Sequence, residues 1–388
     1  KIKSIKSKSK VFDWTVPPEW NISKAYITDK YGKKILDFKK NNLHIVGYSK
    51  FVKKKIKKKS LLKKLYSQKN QPNAIPYITS YYKKDWGFCL THNQKKQIIK
   101  DYDDKDYFSV VIQSTHNPNG KLHYGELLIK GKSKQEIFIS TNICHPSMAN
   151  NELSGPIVSL SLIKYFQNKS LNKSIRFVFL PETIGAIAYL SKNLKKLKKY
   201  MIGGYSLSCI GDEKNHSCIL SKYENSQSDK ALVEVYKKLK IKYKRYSFLK
   251  RGSDERQYNS PGVDLPVTLV SRTKFHEYPE YHTSLDNFEL VTSKGIMGGY
   301  NVVKSAIEIL QKKIIPLSRI LAEPQMSKRK LYPTLSHKDN KQLPENLMNF
   351  LQYADGKNDL YDIEKKIHLN SVKIKRIFKI LKKKQLIY

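Results

Sequence analysis

Arginine is scarce in this chain: eight of its 74 basic residues are Arg, set against 33 acidic residues in a length of 388. The remaining bases are Lys, and the formal net charge is +41. A surface built to read phosphate favours the bidentate guanidinium fork, so a Lys-dominated excess points to generic attraction for polyanions. That excess travels with Asn, Ile and Tyr, which share A/T-rich codons with Lys, so base composition is a sufficient source for much of it. Cysteine is also rare. Cys89, Cys144, Cys209 and Cys218 form no CxxC pair, and neither a zinc ribbon nor a disulfide scaffold is indicated. No apolar run reaches the roughly 18–20 residues of a membrane span, and no signal-peptide core follows the first ten residues. The expectation is a cytoplasmic protein without a membrane partner.

What is present is enough chain for two or three domains. Apolar, β-branched runs predict strands over 136–143, 174–180, 205–210 and 265–271, and helical spacing predicts helices over 157–166, 229–239 and 293–311. This alternation implies an α/β fold, a mixed, mainly parallel sheet with helices on both faces. Residues 43–132 fit it poorly. They hold a basic run over 53–64, aromatic segments over 75–82 and 86–89, and a turn at Asn117-Pro118-Asn119-Gly120, which together read as a small inserted β-rich domain. Helical material over 24–40 would pack on the main sheet. The expected division is 11–42 with 133–325, then 43–132 as the insertion, then 333–388.

The tail reads as helices over 344–354 and 358–367, with Asn370-Ser371 capping a third. That helix has Ile374, Ile377, Phe378 and Leu381 on one face and Lys373, Lys375, Arg376, Lys379 and Lys382 on the other. With a closing strand over 385–388 this is a winged-helix pattern. Two uses stay open: weak nucleic-acid contact through Lys373, Lys375, Arg376 and Lys379, or protein packing with a solvated Lys face, homo-oligomerisation included.

The stretch Ile143-Cys-His-Pro-Ser-Met-Ala-Asn-Asn-Glu-Leu-Ser-Gly155 contains no Lys at all. His145, Glu182 and Asp212 each stand just after a predicted strand, and open α/β sheets bind ligands beyond the carboxyl ends of their strands. A Lys beside a divalent cation would repel it, so the missing charge fits a metal site. Plainer readings stand beside this one. Asn151 and Ser154 suit a helix cap, Gly211-Asp212-Glu213 an ordinary turn, and Glu182 the start of the next helix. Strand alternation would point Cys144 away from His145.

The order His145, Asn151-Glu152-Leu153-Ser154-Gly155, Glu182-Thr183-Ile184-Gly185, Asp212, Ser253-Asp254 and His282-Thr283-Ser284-Leu285-Asp286 resembles the co-catalytic, two-metal zinc aminopeptidases. Nearly the whole chain is more closely similar to a bacterial group with an aminopeptidase-like domain, an inserted small domain and a C-terminal winged helix. The segments 11–20, 75–82, 86–89, 144–155 and 277–287 carry that likeness. The resemblance implies His145, Asp212 and His282 as metal ligands, Glu182 as general base and Asp286 behind His282. It also shows two departures: Asn151 stands where a carboxylate bridges both metals, and Thr183 where a second Glu binds one. Adjacent dications need bridging anions, so one zinc per chain is expected, with Glu152, Asp254 and Glu255 in reserve as replacement carboxylates. Arg256, Tyr258 and Tyr281 lie near ligand positions in sequence and could face an oxyanion or a substrate carboxylate.

The implied function is zinc-dependent hydrolysis of an amide in a peptide, amino-acid-like or amino-sugar substrate. The alternative is an altered peptidase fold that binds a ligand, or acts with nucleic acid, as a regulator.

Overall fold

The computed structural model describes residues 1–332 and 342–388; position 333, where the tail unit was expected to begin, lies outside the described residues. Apolar residues on both faces of the predicted strands build one eight-stranded sheet. Its order is Ile2–Lys6, Lys121–Ile129, Lys173–Leu180, Ser133–Asn142, Met201–Leu207, Val267–Ser271, Ser217–Ile219, Lys244–Tyr246. The four central strands, from Lys173–Leu180 to Val267–Ser271, run parallel to one another. Strand alternation feeds two cores. Ile137, Ile139, Ile175 and Phe177 meet helices Ser154–Phe166, Gln227–Lys238 and Ser293–Lys312, while Phe138, Val178 and Leu180 meet helix Ile184–Tyr200. Helices therefore cover both faces, and the three strands that precede His145, Glu182 and Asp212 belong to the parallel centre.

The helix expected over 24–40 is absent. Glu19–Thr28 and Lys34–Asp37 are strands, and they join Tyr107–Asn117 and Val52–Lys57 in a separate four-stranded antiparallel sheet. The reason is a period of two: Ala25 and Ile27 are buried and alternate with more exposed neighbours, and Gly32 turns the chain back at φ +82°. The turn expected at Asn117–Gly120 is present, closed by Gly120 N–H donating to the Asn117 carbonyl at 3.2 Å, but the strand that follows it enters the large sheet. Strand Ile2–Lys6 does so too. On this sheet membership we propose a small unit spanning residues 19–117 in place of 43–132.

In the tail, helices Gln342–Gln352, Leu360–Lys366 and Ser371–Lys383 pack through Leu347, Phe350, Ile363, Ile374, Ile377 and Leu381. Asn370 caps the third helix, its side chain accepting from Lys373 N–H. Residues 317–318 pair with 355 and 387, so the wing draws its second edge from before the first helix. Buried Gln227 donates to the Lys357 carbonyl and to Asp362, joining the tail to the large sheet's helices. Among the described residues no helix is long and apolar enough to cross a membrane.

Helix Ser154–Phe166 starts hard against the sheet because Gly155 has no side chain: a Cβ there would lie 2.2 Å from Thr141 Oγ1 and 2.7 Å from the Leu207 carbonyl oxygen. Gly155→Ala should therefore cost about 1–3 kcal/mol through overpacking. A urea titration should show a lower midpoint at unchanged slope, and an unchanged midpoint would mean that this contact does not set the helix position.

Candidate active site

Strand Ser133–Asn142 ends one residue before the Lys-free stretch, and the chain then leaves the sheet. His145 projects from this loop. Its Nδ1 lies 3.0 Å from Glu152 Oε2, and its Nε2 lies 3.9 Å from Glu182 Oε2. Glu182 follows strand Lys173–Leu180. Its Oε1 accepts from Ser253 Oγ at 2.6 Å and Asn142 Nδ2 at 3.1 Å, which leaves Oε2 directed at the imidazole. His282 arrives from the loop after the last parallel strand, its ring centroid 4.9 Å from that of His145. Tyr281 stacks on it at 3.9 Å. The buried Nε2 of His282 has no hydrogen-bond partner among the described residues.

The electrostatics differ between the two imidazoles. Burial lowers the His145 pKa, but the bond and charge of Glu152, with Glu182, outweigh it and leave the net shift upward. Burial, then the neighbouring His145 and His276, take His282 down to about 3, so its ring is neutral at ordinary pH. Carboxylates gather here in a chain otherwise flooded with Lys. Glu152, Asp254 and Glu255 are buried, and Glu182 completes the group. Asp254 Oδ1 accepts from Thr183 N–H at 2.8 Å, Glu255 Oε1 accepts from Gly252 N–H at 2.8 Å, and the second oxygen of each has no partner among the described residues. Burial raises both pKa values, Asp254 well above the carboxylate range, with Glu182 adding to the shift. A cation also stands here: Arg256 Nη2 donates to Thr183 Oγ1 at 2.5 Å, and its buried Nε has no partner among the described residues.

Other expected residues are placed differently. Asp212 is fully buried and accepts four hydrogen bonds: from Lys214 N–H, Thr273 Oγ1, Thr273 N–H and Asn150 Nδ2. These consume its lone pairs, so it clamps two loops and offers no free ligand atom. Asp286 does not reach His282. It accepts from the amides of Asn150 (2.5 Å) and Asn151 (3.0 Å) and from Tyr278 Oη, and so fixes the loop after His145. Asn151 is buried against Met148 Sδ and Cys209 Sγ at 3.8 and 3.6 Å. Ser154 is no helix cap; its hydroxyl accepts from Ile210 N–H and donates to the Asn150 carbonyl. Tyr258 is fully buried with its hydroxyl paired to Ser140 Oγ at 2.8 Å.

Two participants were not legible beforehand. Cys144 lies at the site after all, its Sγ 3.2 Å from His145 Nδ1 and accepting from Glu182 N–H, because the strand stops at Asn142 and alternation no longer applies. Burial and the adjacent Glu152 and Glu182 raise its thiol pKa strongly, so it is a neutral thiol and not a ready nucleophile. Tyr77 comes from the small unit. Its ring sits 5.0 Å from His145 and 5.2 Å from His282, and its N–H donates to the His282 carbonyl. The hydrogen bonds of Ile75 with Ser284 hold this strap across the site. Local sequence carries no sign of it; the pairing is long-range.

Ser147, Thr183, Cys209, His276 and His282 all have φ between 52° and 63°. Such left-handed backbones are costly for side-chain-bearing residues and concentrate where function requires a fixed geometry.

Known proteins share this architecture. Residues 1–313 match the family described as a domain of unknown function (DUF4910), and residues 315–388 match a winged helix-turn-helix family. A Clostridium acetobutylicum protein described as a polysaccharide biosynthesis protein with aminopeptidase-like domain is 38% identical over 376 residues, covering 96% of this chain and 85% of its own. A crystal structure of a protein described as a peptidase from the same organism superposes with TM-score 0.78 at 35% identity, covering all of this chain and 87% of the other. At 14% identity, a zinc aminopeptidase from Bacillus subtilis gives TM-score 0.57 over 81% of this chain and 85% of its own, which establishes the shared fold. The chain belongs to the DUF4910 family, an aminopeptidase-like α/β domain followed here by a winged helix.

Proposed function

We propose that this protein is a zinc-dependent amide hydrolase working with one metal ion, held by His145 and His282, with Glu182 as general base. The observation that carries this reading is the pairing of two buried imidazoles with a carboxylate aimed at them. Imidazole nitrogens and carboxylate oxygens suit zinc. His145 would bind through Nε2, because its Nδ1 is engaged by Glu152, the arrangement that fixes ligating histidines elsewhere. His282 would bind through its unpartnered Nε2. Cys144, His145 and Glu152 form a tighter donor group, their ligand atoms within 4.8 Å of one another, but using it would strip Glu152 from that supporting role. Two ions do not fit: Asn151 and Thr183 are neutral, and Asp212 is fully committed.

Zinc, when bound, lowers the pKa of water to about 7 and polarises a carbonyl. Glu182 is held by Ser253 and Asn142 so that Oε2 can take a proton from water and return it to the leaving amine. Asp254, buried behind Thr183, has its carboxyl driven upward by burial and by the charge of Glu182. Tyr77 narrows the site from above and excludes bulk water. The amide belongs to an aminoacyl or amino-sugar compound; the name of the Clostridium acetobutylicum relative, with its reference to polysaccharide biosynthesis, favours including the second.

A second reading, ligand binding without turnover, is favoured by the neutral side chains at Asn151 and Thr183. Aminoacyl anilides and N-acetylated amino sugars separate the two. Glu182→Gln should lower turnover by about 10²–10⁴-fold with zinc content unchanged. Full activity in that variant would place the base elsewhere, and substrate binding without turnover in the wild type would favour the second reading.

For the tail we propose weak, salt-sensitive attraction for polyanions. Lys373, Lys375, Arg376 and Lys379 are exposed on the third helix, and phosphate contacts of this kind carry no sequence information. Replacing Lys375 and Lys379 by Glu in the full chain should weaken duplex DNA binding and reduce the log K against log salt slope by about one per lost contact. Unchanged affinity and slope would make this helix a protein-packing element.

A further inference from the structure

Most long helices of this protein turn Lys to the solvent. Helix Ile184–Tyr200 exposes Lys192, Lys195, Lys196, Lys198 and Lys199, and helix Ser371–Lys383 exposes Lys373, Lys375, Arg376 and Lys379. Helix Ser154–Phe166 and the turn before it do the opposite. Leu153, Ile157 and Leu160 are 45%, 42% and 58% exposed, and their spacing of four and then three residues sets them in one stripe. Neither Lys nor Arg occurs from Gln135 to Ile163, so Lys164 is the first cation at the end of the stripe. A neighbouring helix, Ser293–Lys312, widens it. A Cβ on Gly211 would lie 2.9 Å from Ser154 Cβ and 3.0 Å from Ile296 Cδ1, which brings the amino ends of the two helices together, and further along Tyr165 Oη donates to Glu308 Oε1 at 2.5 Å. Met297, next to Ile296, is 50% exposed. Single apolar residues on a surface are ordinary, whereas a contiguous row marks a contact.

The charges around the stripe are sorted by end. At the amino end a shallow cavity is lined by Glu213, Glu280 and Glu289. Lys214 lies 2.9 Å from Glu280 and Lys294 lies 3.0 Å from Glu213, so three carboxylates stand against two ammonium groups and Glu289 is left over. At the carboxyl end the balance is reversed. Lys164 is exposed there, and Lys169 and Lys304 lie over the Tyr165 ring at 3.5 and 5.3 Å, against the single carboxylate of Glu308.

We infer that this stripe is the contact between two copies of the chain, related by a two-fold axis with their stripes antiparallel. A two-fold contact sets one patch against itself, so the Lys-bearing end of each stripe meets the acidic end of the other and the apolar residues meet at the axis. Charge selects the occupant. A nucleic acid, an anionic membrane or an acidic protein would be drawn to the Lys-bearing faces that this chain offers elsewhere. Clearing Lys from one face serves a partner that is itself basic, because like charges oppose close approach, and a second copy carries the same +41. Leu153 follows Glu152, which bonds His145, so the partner would lie beside the candidate active site. The pairing itself is independent of the chemistry there.

Sedimentation equilibrium of the full chain at micromolar concentrations should give twice the chain mass. Ile157→Lys and Leu160→Lys each put a charge at the axis and should raise the dissociation constant about tenfold or more. Ile157→Gln combined with Leu160→Gln, which removes apolar surface without adding charge, should shift it in the same direction. Leu249→Lys, at an 82% exposed position on another element, should leave the mass unchanged. A monomer at tens of micromolar, or a dimer indifferent to both kinds of substitution at 157 and 160, would overturn the proposal. So would equal dissociation by Leu249→Lys, or a mass that climbs past two chains with concentration.

Discussion

The hydrogen bond between His145 Nδ1 and Glu152, with Glu182 facing the far nitrogen, is the interaction around which the site is arranged. It gathers negative charge in a chain whose surface is overwhelmingly positive. Four carboxyl groups gather near two imidazoles, with Arg256 as the neighbouring cation, bonded to Thr183. Leaving buried charges unmatched is expensive, and a protein resolves the imbalance by protonation or by binding a cation. Burial drives the carboxyls of Asp254 and Glu255 upward, toward the first course. The imidazole pair with Glu182 is suited to the second. The thirteen residues without Lys are intelligible in these terms, because an ammonium there would occupy the place of the cation.

The fold supplies the rigidity this requires. His145, Glu182 and His282 ride on loops leaving a parallel sheet buried on both faces, and the loop after His145 is tied down by Asp286 and Asp212. The two aspartates that the family resemblance offers as chemistry are thus structural here. In a two-metal site Asp212 would carry one ion. In this protein the hydrogen bonds of Thr273, Lys214 and Asn150 take its place. The small unit contributes the remaining wall through Tyr77, so the site is completed by a segment about seventy residues distant in sequence from His145.

How much of this could be read from the chain depends on the range of the interaction. The central strands, their helices and the three tail helices follow from local periodicity and appear where periodicity puts them. Residues 24–40 were misread as helical because the alternation of Ala25 and Ile27 is short and set among Lys and Tyr, and the sheet that uses it is completed by residue 107 and beyond. His145, Glu182 and His282 were legible because motif order reports strand ends. Cys144 was not, since its orientation depends on where the strand stops. The role of Asp286 was missed for a different reason: a carboxylate four residues from a histidine can reach several backbone amides, and only the tertiary turn selects among them. Tyr77 stands in a segment that carries the family likeness, but nothing local ties it to the two histidines.

Charge balance is the central claim, and metal stoichiometry tests it most directly. Elemental analysis of the full chain purified without added metal should give one zinc per chain, falling in His145→Ala and in His282→Ala. Two stoichiometric ions in the wild type, or zinc unaffected by both substitutions, would contradict the account.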